Sequence, residues 1–371
     1  MKYILLLSGL FLLMCSDPGE KLEGQTTKVA VKGVWLTNVA SDALLSRDLV
    51  KEAVKKCSDL GFNTIYVVTW NKNRTMYPSN VVENITGEKI DPVYGERDPL
   101  QEVIEEAHAL DMKVIAWFEF GFASANGDET GGLLIQQNSE WASRDIKGNI
   151  TEKNNFYWLN PFHPEVQQFI TDMIVEVVEN YDIDGIQGDD RLPALPSNGG
   201  YDSLTTSLYK SEHSGALPPE DYLDEGWVQW RADKLTDFLT SLTKEIRSVD
   251  EDVIISMAPS IYPWSKNNYL QDWPEWLERG LVDEIIPQIY RYNFTAYRRE
   301  LDKILEGHVS EEDFTKLKSG ILLKVNDFIA SESLLDSIYN YNREKNLEGE
   351  VYFFYEGIKA REDFFKRVYS Q

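Results

Sequence analysis

From Val29 onward, short apolar, β-branched or aromatic runs alternate with longer amphipathic stretches. The runs have the length and composition of buried strands. The stretches between them carry apolar residues every three or four positions, the period of a helix with one buried side. The pattern predicts strands at Gly33–Val39, Asn63–Trp70, Lys113–Phe120, Gly185–Asp189, Val253–Pro259, Glu284–Tyr290, Gly320–Val325 and Gly349–Tyr355. Helices are expected near Arg47–Leu60, Pro99–Leu110, Pro164–Tyr181, Glu225–Val249, Leu270–Arg279, Phe294–Glu306, Ser331–Arg343 and Ala360–Tyr369. Asp98-Pro99 and His163-Pro164 put proline at a first helical position, where its missing N–H is no loss. Gly61 and Gly280 follow their helices as C-terminal stops.

Strand–helix pairs in this number predict an α/β protein with a single (β/α)8 TIM barrel over residues 29–371. A doubly wound open sheet would need a glycine-rich phosphate loop after its first strand, and the segment there reads Asn38-Val39-Ala40-Ser41-Asp42. The long connections, Asn71–Arg97, Gly121–His163 and Asp190–Asp224, follow strands two, three and four. They fall on the C-terminal side of the barrel, where barrel enzymes build their sites.

The first residues follow a different pattern. Lys2 precedes an apolar run from Tyr3 to Met14, too short to span a bilayer but suited to a secretory signal over residues 1–14. The end of the run, Leu12-Leu13-Met14-Cys15, resembles a lipobox, with Met14 where a small residue is usual. Cys15 is then the lipidated residue, and residues 15–28 form a flexible tether. The expectation is an exported protein, lipid-anchored to the bacterial cell envelope on its periplasmic side or at the cell surface, and touching the membrane through that anchor only.

Charge narrows the partners. With 62 acidic and 37 basic residues the formal net charge is −25, which repels nucleic acid backbones and anionic lipid. His108, His163, His213 and His308 are scattered without metal-ligand spacing, and Cys57 sits in a helical packing pattern. No metal or cofactor is expected, and the protein is taken as a monomer with a carbohydrate substrate. The chain holds 10 Trp, 19 Tyr and 16 Phe, rings that fill a core or stack on sugars.

The candidate chemistry lies at strand ends. In Asp184-Gly185-Ile186-Gln187-Gly188-Asp189-Asp190-Arg191, alternation puts Gln187 and Asp189 on the barrel's inner face. Asp189 ends the strand as a catalytic carboxylate would, and Asp190 opens the loop. The third strand ends Trp117-Phe118-Glu119-Phe120-Gly121, and a carboxyl among such neighbours is expected to hold its proton more tightly. Adjacent strands lie about 4.8 Å apart, so Glu119 and Asp189 can meet as the acid and the nucleophile or base of a glycosidase. A plainer reading has Glu119 ion-paired with Arg191 or Arg291. Candidate substrate contacts are Asn160, Gln187, Gln288, Tyr290, Arg291, Glu356, Trp158 and Trp70. Tyr201, Tyr262 and Trp264 are further aromatics placed where a cleft would want them.

Several runs resemble the glycosyl hydrolase-like family 10 proteins, which are bacterial envelope barrels. They are Gly33-Val34-Trp35-Leu36-Thr37, Trp117-Phe118-Glu119-Phe120-Gly121-Phe122, Trp158-Leu159-Asn160-Pro161, Asp184 to Asp190, Gly200-Tyr201-Asp202, Trp230-Arg231, Gln271-Asp272-Trp273, Gln288-Ile289-Tyr290-Arg291 and Phe353-Phe354-Tyr355-Glu356. The resemblance implies a barrel, export with frequent lipid anchoring, and glycosidase activity on a cell-wall glycan or an imported polysaccharide. It carries the family's Asp-Asp pair onto Asp189 and Asp190 and its third-strand glutamate onto Glu119. The chain departs from the pattern at Arg191, where relatives have a ring-bearing residue. The fifth strand ends Ser256-Met257-Ala258-Pro259-Ser260, without the glutamate many sugar-cleaving barrels carry there. Two other functions fit the same residues: a glycan-binding surface protein that does not cut, and a lyase or isomerase using Asp189 and Asp190 as ligands to magnesium or calcium.

Overall fold

The computed structural model describes residues 30–369. Cys15, the apolar leader and the tether lie outside the described residues. Eight parallel strands form one sheet: β1 (Lys32–Leu36), β2 (Thr64–Val68), β3 (Lys113–Phe118), β4 (Gly185–Gly188), β5 (Ile254–Met257), β6 (Glu284–Ile285), β7 (Ser319–Leu322) and β8 (Glu350–Phe353). Their order in space is β6-β5-β4-β3-β2-β1-β8-β7. Parallel bridges Ile285–Leu317 and Gln288–Gly320 join the two edges, so the sheet curls back on itself as in a TIM-like barrel. β2 (TIYVV) is buried at every position, as a strand covered on both faces must be.

The helices that follow the strands are α1 (Arg47–Asp59), α2 (Pro99–His108), α3 (Pro164–Asn180), α4 (Glu225–Val249), α5 (Trp273–Glu278), α6 (Phe294–Gly307), α7 (Glu332–Glu344) and α8 (Glu362–Tyr369). Their starts follow local chemistry. Ser46 accepts from Leu49 N, Asp98 from Gln101 N and Asp224 from Trp227 N, each satisfying a backbone donor the helix leaves open. In α1 the buried residues Val50, Ala53, Val54 and Cys57 recur at helical spacing.

The helix expected over Leu270–Arg279 is in fact two. A helix over Trp264–Tyr269 stops at Leu270, whose φ of 60° is left-handed, and α5 begins afresh at Trp273. The apolar run continues across the break because Tyr269, Leu270, Trp273 and Trp276 are all buried. The strands also end earlier than the runs that predicted them. Beyond the last ladder bond the chain still packs into the mouth, so composition alone does not mark the end.

The connections after β2, β3 and β4 are the long ones and carry their own structure. They include helices over Asn80–Thr86, Gly132–Gln137 and Ser203–Glu212, and a small antiparallel sheet of Ala123–Asn126, Phe156–Trp158 and Glu152–Lys153. Inside the barrel, Trp35 forms a floor. Its ring meets Tyr66, Trp117, Tyr290 and Phe353 at 5.9–6.4 Å. Below the floor, at the strands' starting ends, the Tyr66 hydroxyl donates to the buried Glu284. No helix among the described residues is long and apolar enough to cross a membrane.

Candidate active site

Above the Trp35 floor the chain turns sharply after β4. The Leu192 N–H donates to the Asp189 carbonyl at 3.0 Å. A Cβ on Gly188 would lie 2.5 Å from the Leu192 carbonyl oxygen, so only glycine lets the turn close. The neighbouring connection meets this turn directly: Phe122 N donates to the Arg191 carbonyl at 3.0 Å. Gly121, at φ +49°, sits where a Cβ would come within 2.2 Å of that carbonyl oxygen. Two backbone approaches, each needing a glycine, bring the ends of β3 and β4 together and set Glu119 beside Asp189.

The meeting point is Arg191. Its Nη2 donates to Asp189 Oδ2 at 2.8 Å and reaches Glu119 Oε1 at 3.4 Å, and its Nε donates to the Glu119 carbonyl at 2.9 Å. Nη1 lies 3.2 Å from Asp190 Oδ1, yet that oxygen is buried without an aligned hydrogen bond. The guanidinium is cradled over the rings of Phe120 and Phe156 at 5.6 and 5.0 Å. Gln288 Nε2 donates to Asp189 Oδ1. Asn71 Nδ2 donates to Glu119 Oε2 at 2.6 Å and to Asn38 at 3.2 Å, while Asn71 Oδ1 has no partner. Three carboxyl groups therefore converge on one cation, in a site where Asp189 is 4% exposed.

Burial is the leading cause of the proton affinities here. It pushes Asp189 well above the usual carboxylate range, the charge of Asp190 pushes the same way, and Arg191 pulls back. Glu119 is raised as well, again first by burial, with Arg191 and Asn71 opposing. Expectation and structure differ in one respect: the sequence pointed to Glu119 alone, whereas both acids are raised, Asp189 more strongly. Groups this close titrate as a unit. The Tyr290 phenol is also raised, first by burial and then by the charges of Asp189, Asp190 and Glu119.

The structure separates the other candidates. Gln187 is fully buried beneath the acids, accepting from Trp35 Nε1 at 2.7 Å and donating to Ser256 at 2.9 Å. It supports the floor and does not face a substrate. Asn160 is also fully buried; it donates to Asp202 and Thr205 and accepts from Phe162 N, tying the β3 and β4 connections together. Trp70 packs on Phe169 and donates to the Gly121 carbonyl, and Trp158 packs on Tyr269; both are buried. Arg291 points away from the acids toward Glu300 of α6, 3.8 Å away. Glu356 accepts from Ser41 Oγ at 2.7 Å and lines a cavity of about 710 Å³ with Asn38, Asp42 and Tyr355. Asn38 of that lining accepts from Asn71, which in turn donates to Glu119. Gln288 does join Asp189 through its hydrogen bond, and Tyr290 rests on the Trp35 floor.

Asn71, Asn38 and Gln271 were not singled out for roles from the sequence. Asn71 stands one residue beyond Trp70, and a polar residue at a barrel strand's C-terminal end was the available signal. Gln271 donates to the Asp189 carbonyl at 3.0 Å and to the Pro193 carbonyl at 3.3 Å. Leu195 N and Ser197 N donate to the Tyr269 and Asn268 carbonyls, so the β5 connection carries the β4 turn. Arg231 secures the far side of that loop: it is fully buried and donates to the carbonyls of Ser197, Gly199 and Tyr222. Among the described residues no group of His, Cys, Asp and Glu is arranged to hold a metal ion.

The fold is shared with known carbohydrate-active barrels. The glycoside hydrolase domain of PgaB (BpsB) from Bordetella bronchiseptica superposes with a TM-score of 0.67 at 12% identity, over 91% of this chain and 99% of that one. The catalytic domain of a beta-amylase from Paenibacillus polymyxa gives 0.65 at 10% identity, over 92% and 99%. In sequence, the glycosyl hydrolase DigH of Escherichia coli K12 is 26% identical over 288 residues, covering 70% of this chain and 62% of DigH. The glycosyl hydrolase YngK of Bacillus subtilis 168 is 25% identical over 299 residues, covering 72% of this chain and 56% of YngK. The match thus spans under two thirds of these relatives. The Glycosyl hydrolase-like 10 family profile matches residues 30–327, and the chain belongs to that family.

Proposed function

We propose that the protein hydrolyses a glycosidic bond in a poly- or oligosaccharide, with Asp189 and Glu119 as the reacting carboxyl pair. The observation that carries this reading is the convergence of Glu119, Asp189 and Asp190 on the single guanidinium of Arg191 at the C-terminal end of the barrel. Such a group has more acid than cation, and burial makes it retain a proton. Retention of one proton beside an ionised partner is what acid-assisted glycoside cleavage needs.

The way each acid is held supports a division of roles. Both oxygens of Asp189 accept from donors, Arg191 and Gln288, a setting that favours the carboxylate once a glycan enters. Asp189 is the nucleophile, or the base toward water. Glu119 is held more loosely by Arg191, at 3.4 Å, and is the proton donor to the leaving oxygen. Asp189 and Glu119 share Arg191 and titrate as a unit, so the raised proton affinity belongs to the pair. Asp190, Gln288 and Tyr290 are the polar groups left to position the sugar. The substrate class is a bacterial cell-wall glycan or an imported polysaccharide.

One observation favours a second reading. Arg191 fills the space between the acids, as it would in a glycan-binding barrel that no longer cuts. Incubation with purified glycans, followed by detection of new reducing ends, decides between the two. The hydrolase reading expects cleavage of at least one glycan; saturable binding with no new ends on any of them contradicts it.

We further propose export and lipid anchoring through Cys15, on the strength of the Leu12-Leu13-Met14-Cys15 run. Radiolabelled palmitate should enter the wild type and not Cys15→Ala; equal labelling of the two contradicts the anchor.

A further inference from the structure

The aromatic residues that sequence pattern offered for a cleft include Trp70 and Trp158, which are buried. A different set is on the surface. Tyr292 is 63% exposed and stands on the connection that leaves the C-terminal end of β6. Its ring meets that of Phe328 edge to face at 4.8 Å and 89°. Phe328 belongs to a hairpin of Lys324–Val325 and Phe328–Ile329, which leaves the same end of β7. One exposed tyrosine is ordinary on a protein surface. A tyrosine propped by a ring from a separate connection has a fixed orientation, held at the rim of the barrel.

A second ring pair starts from the same connection. Tyr290, two residues before Tyr292, stacks on Phe353 at 5.2 Å and 27°. Both rings are only partly buried, and both rest edge-on against Trp35. One ring pair, Tyr290 and Phe353, thus rests on the Trp35 floor, and the other, Tyr292 and Phe328, begins two residues further along the chain. The C–H face of a pyranose is apolar and flat and its hydroxyls project around the edge, so it stacks on an aromatic face while the hydroxyls stay hydrated. Uncharged sugar also suits a chain whose net charge is −25.

We propose that Tyr292, supported by Phe328, is a distal sugar-binding platform that stacks a pyranose unit remote from the cleaved bond, so that the substrate is a polymer and not a disaccharide. This rests on the glycan-acting reading given above.

Affinity electrophoresis tests it, in native gels cast with glycol chitin, hydroxyethyl cellulose, xylan or pullulan. Wild type, Tyr292→Ala, Tyr292→Trp and Asp189→Asn are compared in each gel, with reducing-end release measured on the same polymers. Retardation of the wild type is expected in at least one gel. Tyr292→Ala should bind that polymer about three- to tenfold more weakly, the range of a single ring contact, and Tyr292→Trp should restore it. Asp189→Asn should stay retarded. Retardation of the wild type in no gel, or equal retardation of wild type and Tyr292→Ala, overturns the platform. The two ideas fail separately. Tyr292-dependent retardation without reducing ends breaks the hydrolase reading and leaves the platform. Cleavage with no Tyr292 dependence does the reverse.

Discussion

The barrel buries a carboxylate cluster at each end, and the two are built on opposite rules. At the bottom, Glu350 opens β8 at 1% exposure. It pairs with Arg343 and accepts from Asn342 and the Tyr369 hydroxyl. Tyr297 bonds Ser319 and Asn342 beside it. One acid faces one guanidinium, and its oxygens are supplied with further donors. At the top, Glu119, Asp189 and Asp190 share one guanidinium, and Asp190 Oδ1 and Asn71 Oδ1 are left without hydrogen bonds. Burial raises the proton affinity of both Glu350 and Asp189. The difference lies in whether that burial is matched. A satisfied cluster fixes the fold; an acid-rich, under-satisfied one holds a proton and hydrogen-bonding capacity for something else. The contrast fits the general division of barrels into a stabilising bottom and a reactive top.

Substitutions can break that contrast. The largest effect is expected from Asp189→Asn, which should lower kcat/KM on a cleaved glycan by at least about a thousandfold, with a thermal midpoint close to wild type. Glu119→Gln should cost about a hundredfold or more and remove the alkaline limb of the pH–rate profile, because the proton that limb reports is gone. Arg343→Met should leave kcat and KM of the folded protein unchanged and lower its stability by about 3–5 kcal/mol, the cost of a buried charge losing its partner; chemical denaturation measures it. A catalytic defect in Arg343→Met without loss of stability would blur the division between the two ends.

Arg191→Met tests the acid-rich end through its pH dependence. Arg191 lowers the proton affinity of both Asp189 and Glu119, so removing it raises both and should move the pH–rate profile to higher pH. The stability consequence follows in sign. A carboxyl whose folded pKa exceeds its unfolded value, about 4, is most favourable to folding while protonated. The deficit of Arg191→Met relative to wild type should therefore be constant at low pH and grow as pH rises through the raised folded-state range of the wild-type carboxyls, as melting curves starting at about pH 4 would show.

The barrel was legible because its strands are continuous apolar runs and its helices have a clear period and readable caps. Leu270 broke that reading, since a left-handed residue inside an apolar run leaves no compositional mark. The Glu119–Asp189 pairing was legible for a geometric reason: each residue follows the last ladder residue of adjacent strands β3 and β4. What joins them was less so. Arg191 turns back between the acids because of tight approaches at Gly121 and Gly188, which depend on two separated connections meeting. Trp70, Trp158 and Asn160 sit in the long connections, and alternation says nothing about which way an insertion turns its side chains. Trp70 and Trp158 turn into the main hydrophobic core and Asn160 into hydrogen bonds between the insertions, while Tyr292, in a short connection, stays outside.

The central claim is that the mouth holds a surplus of acid and keeps a proton above the ordinary carboxylate range. Carbon-13 NMR titration of the side-chain carboxyls, with assignments fixed by Asp189→Asn and Glu119→Gln, measures this directly. The account predicts that at least one carboxyl of the Glu119–Asp189 pair remains protonated well above the ordinary carboxylate range of about 4, and that Arg191→Met moves it higher. Titration of both carboxyls in the ordinary range, unaffected by Arg191→Met, would contradict it.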